Sequence, residues 1–436
     1  MFLFYMVVMK LRSLNYQEML RFYTKDGMEV VLLKDLSHST YIQLDIDFGS
    51  FDLMYENEQN QLVSLTPGIA HFLEHKMFAM DDQTDAFTYF TQLGLQANAM
   101  TSYETTSYTL AGNENVEEGL LYLLKMIDKP YFTEENVDQE FNIIAEEIRM
   151  YNDDVDSVIQ LKILRMLMDK HPIIHDIAGR IEDIELIDVQ MLEEAYQNYY
   201  QPKRRKLMIS GPIDLDTYQK LILSHDSPWD TRPTKTYFPE ERKEVVSSFE
   251  VIQMDVVKPK LVVGFKFNMD KKGLALLKEE IIAVTAFNFL FGMLSDFYEK
   301  AVDADLINEP IGYQLINEGH IFTAIIQTES FDLLKLDALL KSTVFNFDEN
   351  SFSEEVLSLI KKIMIGQQIF SLNEFENKLY LFSKYDPYNV SFDDVIDLIQ
   401  QTSKEEIIQF IKSILPEQLS TLYVERKIDD ETDLVI

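Results

Sequence analysis

The chain contains no cysteine, which excludes a disulfide framework and any thiolate metal site. Basic residues are scarce: 39 Lys and Arg stand against 74 Asp and Glu, giving a formal net charge of −35 over 436 residues. With no basic stripe, the composition argues against a nucleic-acid partner. The same field would attract cationic peptides and repel acidic ones. No short-period repeat or low-complexity stretch is present. The apolar opening Met1–Met9 is far shorter than the about twenty residues of a membrane span. Its charges, Lys10 and Arg12, follow it, whereas a secretory signal carries its charge in front. This segment is expected to be an added start or a short strand, and the chain to be cytoplasmic and not membrane-bound. Hydrophobic residues at 46% and charged residues at 26% are those of a soluble globular protein. The length suits two domains of about 200 residues.

Histidine is also rare, seven in all, yet two of the seven share one motif, His71-Phe72-Leu73-Glu74-His75. On a helix, residues i and i+4 lie one turn apart on the same face, so both imidazoles can converge on one ion. Glu74, beside them, can act as a general base toward a water polarised by that ion. The order His-x-x-Glu-His is the inverted zincin arrangement. Thr66-Pro67-Gly68 supplies a turn and helix start, and Ile69, Ala70, Phe72, Leu73, Met77 and Phe78 surround the motif with apolar groups.

A catalytic zinc needs a third protein ligand and one open position. The stretch from Thr133 to Met150 reads as a helix, with Thr133 as N-cap and Glu134 and Glu135 in its first turn. Glu140 and Glu147 lie two turns apart on one face, while Ile143, Ile144 and Ile148 supply packing surface. Carboxylates on an inward face are costly unless they meet a cation or donors. Glu146 is equally available, and chemistry alone leaves the choice between Glu146 and Glu147 open.

These residues resemble the pitrilysin/insulinase family of zinc metallopeptidases. Its two histidines, base and distal glutamate match His71, His75, Glu74 and Glu147, the last chosen because the family ligand directly precedes the Ile/Met position, here Ile148. Its auxiliary acid, seven residues earlier, matches Glu140. Gln96 to Thr106 resembles its Asn-Ala-x-Thr-Ser-x-Glu-x-Thr strand, which implies Asn98 and Ala99 as positions that bind the substrate backbone. His171-Pro172 with Ile177-Ala178-Gly179 matches a further segment, usually structural. The resemblance implies one Zn2+ per chain and an endopeptidase acting on short or unfolded peptides.

Two halves repeat one order of elements. A hairpin around Lys25-Asp26-Gly27, a half-buried strand over Tyr41–Phe48 and the motif helix are matched by Phe249–Val257, Lys260–Phe267 and a long apolar helix over Leu274–Phe291 that has no histidine. The expected fold is α+β: two homologous domains, each an antiparallel sheet covered by helices, enclosing a chamber as the resemblance implies. Residues 1–223 would form the metal-binding domain, 224–248 a linker with the single tryptophan, Trp229, and 249–436 a second domain without metal.

One departure bears on partners. The family's second domain contributes an arginine and a tyrosine that bind substrate and polarise its carbonyl. Here Tyr298 stands where the arginine is expected, Tyr313 takes the tyrosine position, and no arginine occurs between Arg242 and Arg426. Lys300 offers only a point charge, without the bidentate fork. The pattern resembles the zinc-bearing subunit of heterodimeric bacterial processing peptidases associated with subtilosin-type modified peptides, in which a homologous partner supplies the Arg/Tyr pair. A heterodimer that processes leader or precursor peptides is therefore expected, with little activity from the isolated chain. The alternative is a non-catalytic peptide-binding or structural subunit. Of the other histidines, His38, His225 and His320 read as isolated polar groups, and Pro172 argues against His171 and His175 forming a second helical pair.

Overall fold

The computed structural model describes residues 18–427, apart from 37, 58, 81–84, 226–228, 230–233, 269–270 and 373–374, and without the side chains of 375 and 376. The apolar segment Met1–Met9 lies outside the described residues, as does part of the expected linker. By internal contacts the chain forms two units. One runs up to Met150 and takes in His175–Pro239 and Glu374–Ser383; the other comprises Tyr151–Ile174, Glu240–Asn373 and the chain from Lys384.

In chain order, the first unit holds β1 (Glu18–Tyr23), β2 (Glu29–Lys34), β3 (Thr40–Ile46), β4 (Met54–Glu56), β5 (Leu62–Ser64), α1 (Ile69–Lys76), α2 (Ala86–Gln92), β6 (Gln96–Thr101), β7 (Thr106–Gly112) and α3 (Val116–Asp128). Most of α4 (Glu134–Asp153) also belongs to it. The helix α5 (Val155–Leu167) belongs to the second unit, where it packs on that unit's sheet, although the sequence had placed it before the linker. The first unit resumes with α6 (Ile181–Ile184), α7 (Val189–Tyr199), β8 (Arg205–Gly211), α8 (Leu215–Ser224) and β9 (Lys235–Thr236). The second continues with β10 (Phe249–Met254), β11 (Lys260–Phe267), α9 (Leu274–Phe291), α10 (Asp296–Asp303), β12 (Gly312–Glu318), β13 (Ile321–Glu329), α11 (Leu333–Phe345), α12 (Glu354–Ser371) and β14 (Leu419–Arg426).

The first sheet has the order β1-β2-β8-β3-β7-β6, and the second has β10-β14-β11-β13-β12. Each is antiparallel apart from one parallel pair, β2 with β8 and β10 with β14. In the first sheet the last strand, β8, inserts between β2 and β3, and in the second β14 inserts between β10 and β11, so β10-β14-β11-β13-β12 repeats β2-β8-β3-β7-β6, with no counterpart of β1 among the described residues. This topological match supports a duplication more firmly than the order of elements alone. Asp26-Gly27 forms the β1–β2 turn, with Gly27 at φ 102°, a left-handed conformation that glycine adopts at no steric cost. Each sheet buries one face under helices, around Phe72, Leu73, Ile144 and Leu207 in the first unit and around Phe265, Ala286, Phe287 and Ile326 in the second. The helix α9 is long and apolar enough to cross a membrane by composition, and its contribution to the second core explains that character.

Candidate metal centre

Gly68 starts α1 at φ 90° with no side-chain cap, so the helix entry depends on backbone packing. The stretch 96–106 is not one strand: β6 ends at Thr101, a turn follows at Ser102, and β7 begins at Thr106. Thr133 caps α4, its Oγ1 accepting from the Asn136 N–H at 3.1 Å. These elements bring His71, His75 and Glu147 together, with one ligand atom from each lying within 4.8 Å of the others. Glu147 Oε2 is 3.7 Å from His71 Nε2 and 3.5 Å from His75 Nε2. Glu146 points to solvent and pairs with Arg149.

Separation and donor chemistry both fit an ion. A tetrahedral ion with bonds of ~2.0–2.1 Å sets its ligand atoms about 3.4 Å apart, close to the measured spacing. His75 Nδ1 lies 3.1 Å from Glu140 Oε1, so its N–H can donate there while Nε2 presents its lone pair toward Glu147. Burial, and then the charge of His75, hold His71 down at about 4, so it is neutral and able to ligate. Burial also opposes the charge on His75, but the Glu140 hydrogen bond and the Glu140, Glu74 and Glu147 carboxylates outweigh it and raise its pKa. A bound cation would have to displace that proton. Burial drives the Glu140 carboxyl up, yet its bond to His75 and the Lys76 charge more than offset this and leave it lowered.

Glu74 is buried, and Thr101 Oγ1 donates to its Oε2 at 2.6 Å. Burial raises its pKa against that hydrogen bond, the direction suited to a base that must later give up a proton. Glu74, His75, Phe78, Phe87, Asn98 and Ala99 line a cleft of about 690 Å3 beside the ligands. The strand β6 ends its sheet, pairing only with β7 among the described strands.

Two residues at this site had no role in the sequence reading. Lys76, at the end of α1, is buried, and Thr101 lay inside a quoted motif without an assigned contact. The available signal was a lysine directly after the second histidine and before the apolar Met77 and Phe78. Tyr313, carried as a substrate-binding position, has its hydroxyl engaged by α9 in its own unit: it accepts from Asn288 Nδ2 at 2.7 Å and donates to the Val284 carbonyl at 3.2 Å. Tyr298 packs against the second core, and Lys300 lines a separate cleft of about 300 Å3.

Residues 29–179 match the insulinase (peptidase family M16) model, and residues 187–364 match the model of the peptidase M16 inactive domain. An uncharacterized zinc protease of Bacillus subtilis, YmfH, is 31% identical over 89% of this chain and 91% of its own length. The chain belongs to the insulinase family. The putative zinc protease AlbF of Bacillus subtilis is 31% identical over 43% of this chain and 44% of its own. A putative M16-like peptidase from Alicyclobacillus acidocaldarius has the same fold, with a TM-score of 0.88 at 25% identity over 97% of this chain and all of that one. Pitrilysin matches over 97% of this chain and 46% of its own, with a TM-score of 0.75 at 15% identity.

Proposed function

We propose that this insulinase-family chain is a zinc-dependent endopeptidase. The observation that carries the reading is the convergence of His71 Nε2, His75 Nε2 and Glu147 Oε2 beside a buried Glu74 held by Thr101. His71, His75 and Glu147 would hold the ion, and Glu140 would orient His75. Zinc, when bound, supplies a Lewis acid for the peptide carbonyl and for water. The Glu74 carboxylate takes the proton of the attacking water and passes it to the leaving amine. Thr101 keeps that carboxylate turned toward the cleft. Asn98 and Ala99 on the edge strand β6 align an extended peptide by main-chain pairing, a mode that selects unfolded substrates.

The substrate is a short or unfolded peptide, a leader or precursor segment, with cationic character favoured by the net charge of −35. The chain acts in the cytoplasm as the metal-bearing member of a heterodimer. The absence of arginine from 243 to 425 supports that arrangement, in which a homologous partner supplies the guanidinium donor for the developing oxyanion. The test is cleavage of a peptide library by the zinc-loaded chain, alone and with its homologue. Turnover only in the mixture, abolished by Glu74→Gln with zinc retained, is the expected result. Turnover retained in Glu74→Gln would overturn the mechanism, and full activity of the isolated chain would overturn the heterodimer.

A further inference from the structure

Lys76 directly follows the second histidine on α1, and its side chain is among the most buried charges in the chain, the residue retaining 2% of its surface. Its Nζ donates to the Asn136 carbonyl at 3.0 Å and to Glu140 Oε2 at 3.3 Å. The other oxygen of Glu140 is the one that meets His75 Nδ1, at 3.1 Å. His75 in turn faces Glu147 through Nε2 at 3.5 Å. A continuous chain of polar contacts therefore runs from a buried ammonium through one carboxylate to the ring of a ligand.

We propose that Lys76 is a positioning residue of the metal centre, acting through Glu140 to fix the ring of His75. The proposal rests on the reading of His71, His75 and Glu147 as metal ligands.

Two observations distinguish it from a simple strut between α1 and α4. The first is the asymmetry of support. His71 Nδ1 is buried with no hydrogen-bond partner among the described residues, so His71 is aimed by packing alone. The orientation of the ligand pair from behind then depends on His75, and His75 on Glu140. The Glu140 carboxylate can turn about its last bond, and with one oxygen held by Lys76 the other is kept facing the imidazole. Residues that hold a metal ligand in place in this way commonly change metal affinity by about 10–100-fold.

The second observation is charge. Glu74, Glu140 and Glu147 crowd three carboxylates around two imidazoles, Glu74 and His71 buried and the others half-buried. A divalent ion offsets two of the three charges, and Lys76 supplies the remaining one. A strut needing only to reach the Asn136 carbonyl could be neutral, and a neutral donor would be cheaper to bury.

The test is zinc affinity, read by competition with a chromophoric chelator on the full chain, for wild type, Lys76→Met, Glu140→Gln and the double variant. Methionine keeps the unbranched stem and removes the charge. We expect Lys76→Met to weaken zinc binding about tenfold. In the Glu140→Gln background the same change should cost almost nothing, because its path to His75 is already cut. Unchanged affinity in Lys76→Met with a lowered melting temperature would show a strut and overturn the proposal. Equal losses in both backgrounds would overturn the path through Glu140. A wild type that binds no zinc would instead overturn the metal reading, and this proposal with it. If Lys76→Met does not fold, Lys76→Gln, uncharged but still a donor, is read in the same assay against the same expectations.

Discussion

Gly68 and Gly179 meet back to back. A Cβ on Gly179 would lie 2.6 Å from the Pro67 carbonyl oxygen, and one on Gly68 would lie 2.5 Å from that of Ala178. Both residues have positive φ, 90° at Gly68 and 76° at Gly179. The N-cap residue of the metal-motif helix is thereby seated against the Ile177-Ala178-Gly179 segment, which gives that segment its structural role. Gly179→Ala would combine a left-handed strain of about 1–2 kcal/mol with a backbone clash. We expect a loss of about 2–4 kcal/mol, seen as a clearly lower unfolding midpoint by calorimetry. An unchanged midpoint would show that the segment yields and that the seat is not tight.

Thr101 is expected to control Glu74 rather than the ion. Its Oγ1 donates to Glu74 Oε2, and Thr106 Oγ1, which donates to the Phe48 carbonyl, stands behind it. Thr101→Val keeps the shape and removes the donor. Zinc content should stay the same while kcat falls about tenfold or more, with KM little changed. Thr101→Ser should recover most of the rate. Equal activity in valine and threonine forms would mean that Glu74 needs no such anchor.

Neighbouring glutamates should differ sharply. Glu147 faces both histidines, whereas Glu146 is exposed and pairs with Arg149 three residues on. Glu147→Gln should weaken zinc binding by about a hundredfold, and Glu146→Gln should leave it unchanged, since an exposed pair contributes little. Titration with a competing chelator checks both. Loss of zinc in the Glu146 variant would mean that α4 is rotated by a residue.

Much of the site was legible in the residues because its chemistry is local. Spacing i to i+4 places His71 and His75 on one face whatever the rest of the fold does. The choice between Glu146 and Glu147 was not local: one residue along a helix is a 100° turn, and only the packing of Ile144, Ala145 and Ile148 settles which side faces inward. The hairpin at Gly27 and the strand from Lys260 were readable from turn chemistry and apolar runs. The insertion of β8 between β2 and β3, and of β14 between β10 and β11, was not, because long-range pairing leaves no periodic mark in sequence. Lys76 was missed for a related reason, since a lysine at a helix end normally reaches solvent and only α4 makes it inward.

Acid should weaken the second unit through His171. Its Nε2–H donates to the Gly319 carbonyl at 2.6 Å, and its Nδ1 accepts from the Ile173 N–H at 3.2 Å, so both nitrogens are satisfied only in the neutral ring. Protonation would set two N–H groups against each other at Ile173. Burial is the main cause that lowers its pKa to about 4, against the Gly319 bond and the nearby Glu241 charge, with His320 and Lys266 adding to the lowering. An unfolded histidine takes its proton near ~6.5. Between those values the unfolded chain therefore binds more protons than the folded one, and stability must fall as pH drops from about 6.5 toward about 4. The full effect is on the order of 3 kcal/mol. Unfolding midpoints of wild type and His171→Asn, followed from pH 7.5 to 5, isolate this group from the many carboxylates. The variant should begin less stable, and the gap between the two should narrow steadily on acidification. Parallel curves would mean that His171 keeps its neutral form for no energetic reason, or that it is already charged at neutral pH.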